Sequence, residues 1–114
     1  MVIVVFTIRL AADVPEAEYE QTAAEMAELV QKVPGFVGMD YAETDGREML
    51  VARFESHEAL ALWRNEPEHK RAQQRGKERF FEHYRIEVCD EVRSYEFSAD
   101  PTACLLYTSP SPRD

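Results

Sequence analysis

Residues 61–88 read ALWRNEPEHKRAQQRGKERFFEHYRIEV, and they hold the only tryptophan, Trp63, and two of the three histidines, His69 and His83. An imidazole titrates near neutral pH, so a pocket histidine such as His69 can take a proton from a phenol and return it later in a reaction. The competing role for His69, two residues after Pro67, is structural: it caps or covers the start of a helix. Gln73 lies four residues on, hence on the same helical face, where it could orient a substrate carbonyl. Trp63 buries a large area wherever it sits, so it is either a pocket wall or a core anchor. His57, His69 and His83 are spaced by 12 and 14, which matches no metal-ligand motif. Cys89 and Cys104 make neither a metal spacing nor a disulfide framework and read as two unpaired thiols. Glu66, Glu68, Glu78 and Glu82 interleave with Arg64, Lys70, Arg71, Arg75, Lys77, Arg79 and Arg85, the pattern of a solvated, ion-paired helix face. One alternative sets Arg75 or Arg85 at a pocket mouth to attract an anionic substrate.

Four strand-like runs and two helical regions must position these groups. VIVVFTIRL (2–10) is apolar at both parities, Ile3 and Val5 against Val4, Phe6 and Ile8, as in a strand covered on both faces. Asp13 and Pro15 open a helix whose Tyr19, Ala23, Met26, Val30 and Val33 form one apolar stripe, ended by PGF at 34–36. FVGMDYAET and REMLVARFE flank Asp45-Gly46, a hairpin signal because the turn needs positive φ. Ser56 caps the next helix, HEALALWRN, and Pro67 restarts a second helical piece running to about His83. Phe80, Phe81 and Tyr84 recur there at helical spacing, as packing residues or as a stacking surface for substrate. Gly76 weakens that helix by about 1 kcal/mol relative to Ala and permits a close approach or a hinge. Residues 84–97 read as strand four, with a bulge near Cys89 to Glu91 where the apolar phase shifts.

The order β-α-β-β-α-β is a ferredoxin-like α+β arrangement, a four-stranded antiparallel sheet with both helices on one face. The other face of strand one must also be hidden, most simply on the sheet of a second copy, so a homodimer through sheet faces is expected. From about residue 99 the chain is rich in Ser, Pro and Thr without a period, and CLLYTSPSPRD resembles translated vector or adapter sequence. The domain is therefore placed at 1–98 and residues 99–114 are set aside as an irregular tail.

With 114 residues and a formal net charge of −9, the chain is one domain, too acidic for general binding to nucleic acid or anionic membranes. No window approaches a membrane span of roughly 20 apolar residues. MVIVVFTIRL lacks the basic start and the cleavage site of a signal peptide. A soluble, cytoplasmic protein acting on a small molecule is the expectation.

The strand-one opening, VPGFVGMDYAE and VARFESHEALALWRNEPEHKRAQQRGKERFFEHYRIEVCDEV together resemble the antibiotic biosynthesis monooxygenase family of dimeric α+β barrel proteins. The resemblance spans nearly all of residues 1–98 and is specific for the fold, through F-x-S-x-E-A-L-x-x-W-x-x-x-P-E-H. It implies a pocket between sheet and helices, with Trp63 matching a tryptophan that lines the active site. It implies as activity a monooxygenase reaction without metal, flavin or other cofactor, oxidising a small aromatic, quinol or polyketide-like substrate with O₂. Trp63 and His69 are the candidate catalytic residues, and Ile8, Phe54, Gln73 and Phe80 complete the pocket. In one oxygenase branch a tyrosine stands roughly where His69 does. The haem-degrading branch pairs the tryptophan with a strand-one asparagine and a histidine ten residues after it; here Ile8 and Gln73 stand in those places. The competing class is a non-catalytic, small-molecule-binding or stress-associated domain whose tryptophan only packs.

Overall fold

The computed structural model describes residues 1–99. The reading of 99–114 as a tail, with Cys104 in it, lies outside them apart from Ala99. The elements are β1 (Val2–Leu10), α1 (Glu16–Val30), β2 (Phe36–Thr44), β3 (Arg47–Phe54), α2 (His57–Arg64), α3 (Pro67–Arg75), a π-helical turn (Gly76–Phe80) and β4 (Phe81–Asp90). The strands form one antiparallel sheet in the order β2-β3-β1-β4, the ferredoxin-like arrangement expected. Among the described residues no helix is long and apolar enough to cross a membrane.

Local chemistry accounts for most of the boundaries. Asp45 (φ 50°) and Gly46 (φ 70°) both sit at positive φ, and Thr44 pairs with Arg47, giving the tight turn that joins β2 to β3. Ser56 Oγ accepts from the Ala59 amide and caps α2. Glu66 caps α3 by accepting from the His69 amide at 2.8 Å, with Pro67 at the first helical position, where its missing N–H costs nothing. The kink between α2 and α3 is thus one helix stop and one new capped start.

Alternation sorts β1 cleanly. Val2, Val4, Phe6, Ile8 and Leu10 face the helices; Ile3, Val5, Thr7 and Arg9 face the helix-free side. Val2, Val30, Phe54, Ala59 and Leu60 form the buried cluster, with Val4, Phe36, Ala52 and Trp63 packed against it. At Gly35 (φ +89°) the chain turns into β2 directly beneath α2, and its carbonyl accepts from the Glu55 amide at 2.7 Å.

Four expectations are corrected. The helical stretch expected to reach His83 leaves α geometry after Arg75 and ends with the π-helical turn at Phe80, so that by Phe81 the chain is already strand. Phe81 folds back on the helix end, its ring so close that a Cβ on Gly76 would lie 2.4 Å from Cε2, and the Phe80 carbonyl accepts from Ala11. Phe81 and Tyr84 are therefore strand residues, in edge-to-face contact with Phe6. Strand four ends at Asp90 rather than Phe97: Val2 pairs with Asp90, and Glu91 donates to the Met1 carbonyl just beyond that pair. The bulge lies not near Cys89, where pairing is regular, but at the other end, where Arg9 pairs with His83 and Leu10 with Phe81, leaving Glu82 as the extra residue. The stripe on α1 keeps Tyr19, Ala23, Met26 and Val30 on the inner side, with Thr22 buried beside them, but the helix ends at Val30, so Val33 lies beyond it.

Candidate functional site

The helical layer leaves a cavity of about 910 Å³ over the inner face of the sheet, at the upper end of the range for small-molecule sites. All six residues singled out in the sequence line it: Ile8 from β1, Phe54 from β3, Trp63 from α2, His69 and Gln73 from α3, and Phe80 from the π turn. Ile8, Phe54 and Phe80 are at most 2% exposed and are its most deeply buried apolar lining.

Trp63 and His69 form a unit. Their rings stack with centroids 3.9 Å apart and 17° between planes. His69 Nδ1 lies 2.9 Å from the Trp63 carbonyl oxygen. A carbonyl only accepts, so Nδ1 carries the proton and, in the neutral ring, Nε2 keeps a free lone pair. The Glu66 cap fixes the backbone of the same turn. Burial holds the His69 pKa below its ordinary 6.5, although the bond to the Trp63 carbonyl and the charge of Glu66 pull the other way. The imidazole is therefore a neutral acceptor at neutral pH, half-buried on the cavity wall.

A second polar pair stands on another wall. Tyr19 of α1 donates to Glu48 Oε1 of β3 at 2.7 Å, and both line the cavity. Burial and the Glu48 carboxylate push the Tyr19 pKa up, so the phenol stays protonated and remains a donor. In the sequence Tyr19 reads as a packing residue and Arg64 as part of a solvated helix face, yet both line the cavity, and Glu48 stands out in no motif. One signal could have found Glu48: counting back from Phe54 along β3, positions 52, 50 and 48 share its inward parity, and the last is charged.

The arginine expectations are corrected. Arg75 does not line the cavity; it donates to the buried Thr22 hydroxyl at 3.3 Å. Arg85 lies on the opposite face of the sheet, in a shallow concavity with Arg9, Arg47 and His83, its nearest carboxylate Glu87 at 3.9 Å. The other ionic side chains of α3 and the π turn behave as a solvated face: Arg71 pairs with Glu68, and Arg79 with Glu18. His57 binds Asp90 at 2.6 Å on the surface, away from the cavity. Among the described residues no group of three or more His, Cys, Asp or Glu is arranged to hold a metal ion.

Comparison with known proteins agrees with this architecture. The uncharacterized protein YqjZ of Bacillus subtilis is 35% identical over 80 residues, 69% of this chain and 70% of that protein. An antibiotic biosynthesis monooxygenase-fold structure from Deinococcus radiodurans superposes with a TM-score of 0.74 at 16% identity, over 87% of this chain and 100% of that one. SnoaB of Streptomyces nogalater, a cofactor-independent oxygenase, superposes with a TM-score of 0.67 at 17% identity, over 82% of this chain and 94% of that one. The sequence profile of one family, antibiotic biosynthesis monooxygenase, matches residues 1–75, which carry β1 through α3 with Trp63 and His69, and the chain belongs to that family.

Proposed function

We propose that the protein is a cofactor-independent monooxygenase acting on a small aromatic, quinol or polyketide-like substrate. The observation that carries this reading is the Trp63–His69 unit, an imidazole with its free acceptor nitrogen set in an apolar cavity. A phenolic or anthrone-like substrate gives its proton to Nε2, and the resulting electron-rich anion passes an electron to O₂. Recombination at the activated carbon gives a peroxide; His69 returns the proton as the O–O bond breaks, so that a CH₂ group plus O₂ becomes a carbonyl plus water. Trp63 holds the imidazole and shields the site, while Ile8, Phe54 and Phe80 keep water from the anion. Gln73 orients a substrate carbonyl. SnoaB, a cofactor-independent oxygenase, supports the reading as a fold relative. The helix-free face, with Ile3, Val5, Met49 and Val51 at its centre, supports a homodimer through that surface.

The test is oxygen uptake, in the presence of chelator, with a panel of hydroquinones and anthrone-like phenols. The wild type consumes oxygen and His69→Ala, still folded, loses at least about a hundredfold in rate. No uptake from a folded wild type would turn the reading to a binding domain, which the packing of Trp63 against the core favours as the alternative.

A further inference from the structure

We propose that Glu48 determines specificity in this cavity: it accepts a hydrogen bond from a hydroxyl of the substrate and bars aromatic substrates that carry a carboxylate. The inference rests on the cavity being the substrate site and adds to that reading a residue and a charge requirement.

Three observations converge on Glu48. Its side chain points inward, since it lies beside Ile8 on β1 and shares the parity of Phe54, and it lines the cavity, partly buried. Tyr19 donates to Oε1 at 2.7 Å, and the Tyr41 hydroxyl also lies close to the Glu48 carboxylate; a carboxylate has about four acceptor sites, so two phenols hold it in place and still leave room for a further donor. The neighbour directly across on β2 is Glu43, also lining the cavity and itself receiving the Tyr41 hydroxyl at 3.2 Å. Like charges directly opposite on neighbouring strands work against the sheet, so both carboxylates stand on this face at a cost to the fold. The other charged groups lining the cavity are Glu16 and Glu20 of α1 and Arg64 of α2, so negative charge prevails at this wall. A hydroxyl meets a good acceptor there and a substrate carboxylate meets repulsion, while the cation Arg64 stands beside Trp63 on α2 rather than on β2 or β3.

The test is calorimetric titration under argon with three probes of one ring system: a dihydroxynaphthalene, its dimethyl ether and a hydroxynaphthoic acid. Changes in the emission of Trp63, the only tryptophan, locate binding in the cavity. The wild type is expected to bind the diol about tenfold or more tightly than either of the others. Glu48→Gln, which keeps an acceptor for Tyr19, should lose most of the preference over the naphthoate. Tyr19→Phe should retain that preference, because the charge remains. If Glu48→Gln ranks the three probes as the wild type does, or if no probe perturbs Trp63, the proposal fails. Oxygen uptake measured in parallel separates the two readings. Discrimination that depends on Glu48 without uptake leaves Glu48 in its role and removes the oxygenase; uptake indifferent to Glu48 does the reverse.

Discussion

Replacing Gly35 by alanine tests the joint on which the candidate site hangs. Gly35 holds φ +89°, and a Cβ added there would sit 2.6 Å from the Ala59 Cβ, far inside van der Waals contact. Two costs add. A left-handed backbone costs a side-chain-bearing residue about 1–2 kcal/mol, and forcing a methyl against the buried first turn of α2 costs about 1–3 kcal/mol. The sum is about 2–5 kcal/mol. At about 4–8 °C per kcal/mol for a domain of this size, even the lower figure reduces Tm by roughly 10 °C. Because α2 must move to relieve the overlap, Trp63, about one turn beyond Ala59, should move with it, and its emission in the folded state should shift. Urea denaturation of Gly35→Ala, Ala59→Gly and the double variant separates the terms: removing the Ala59 methyl should return about 1–3 kcal/mol as a coupling energy and leave the backbone cost. Coupling below about 0.5 kcal/mol would refute the claim that Gly35 is needed for the close approach of α2.

Gly76→Ala should destabilise the protein in urea, although helix propensity alone predicts a gain of about 1 kcal/mol, because the new Cβ meets the Phe81 ring at 2.4 Å. For pH, the folded-state pKa of His69 is lowered from 6.5, so below that value the unfolded chain binds more protons and stability falls with falling pH. His69→Phe, which keeps a ring on Trp63, should lose that component of the pH dependence, and a slope unchanged below pH 6.5 would contradict the assignment. Oxygen uptake should be fullest above the His69 pKa, where the imidazole is neutral, and should decline in acid.

What the sequence made legible was what short-range chemistry decides. Asp45-Gly46 marked the hairpin, Ser56 the start of α2 and Pro67 the kink, because each acts within a few residues of itself. The end of β4 was not legible, since Asp90 pairs with Val2 at the start of β1, nearly the whole domain away in sequence. The boundary between α3 and β4 was misread because Phe80, Phe81 and Tyr84 fit both a helical spacing and a strand carrying one bulge; the ring of Phe81 against Gly76 decides between them. At the site, the neighbourhood of Trp63 and His69 followed from the resemblance, but the tautomer followed only from the carbonyl beside Nδ1. Tyr19 and Glu48 are 29 residues apart, and nothing in either local pattern announces their pairing.

The strand order has a consequence for how the chain is made. β1 lies in the middle of the sheet, between β3 and β4, yet the ribosome delivers it before both. At roughly 5–20 residues per second, the two apolar faces of Val2–Leu10 wait several seconds for β3 and longer for β4, and one edge of β1 stays open until β4 has left the exit tunnel. During synthesis the future centre of the sheet is therefore its most adhesive segment, and a chain stalled after α3 would present a naked central strand to chaperones or to other nascent copies.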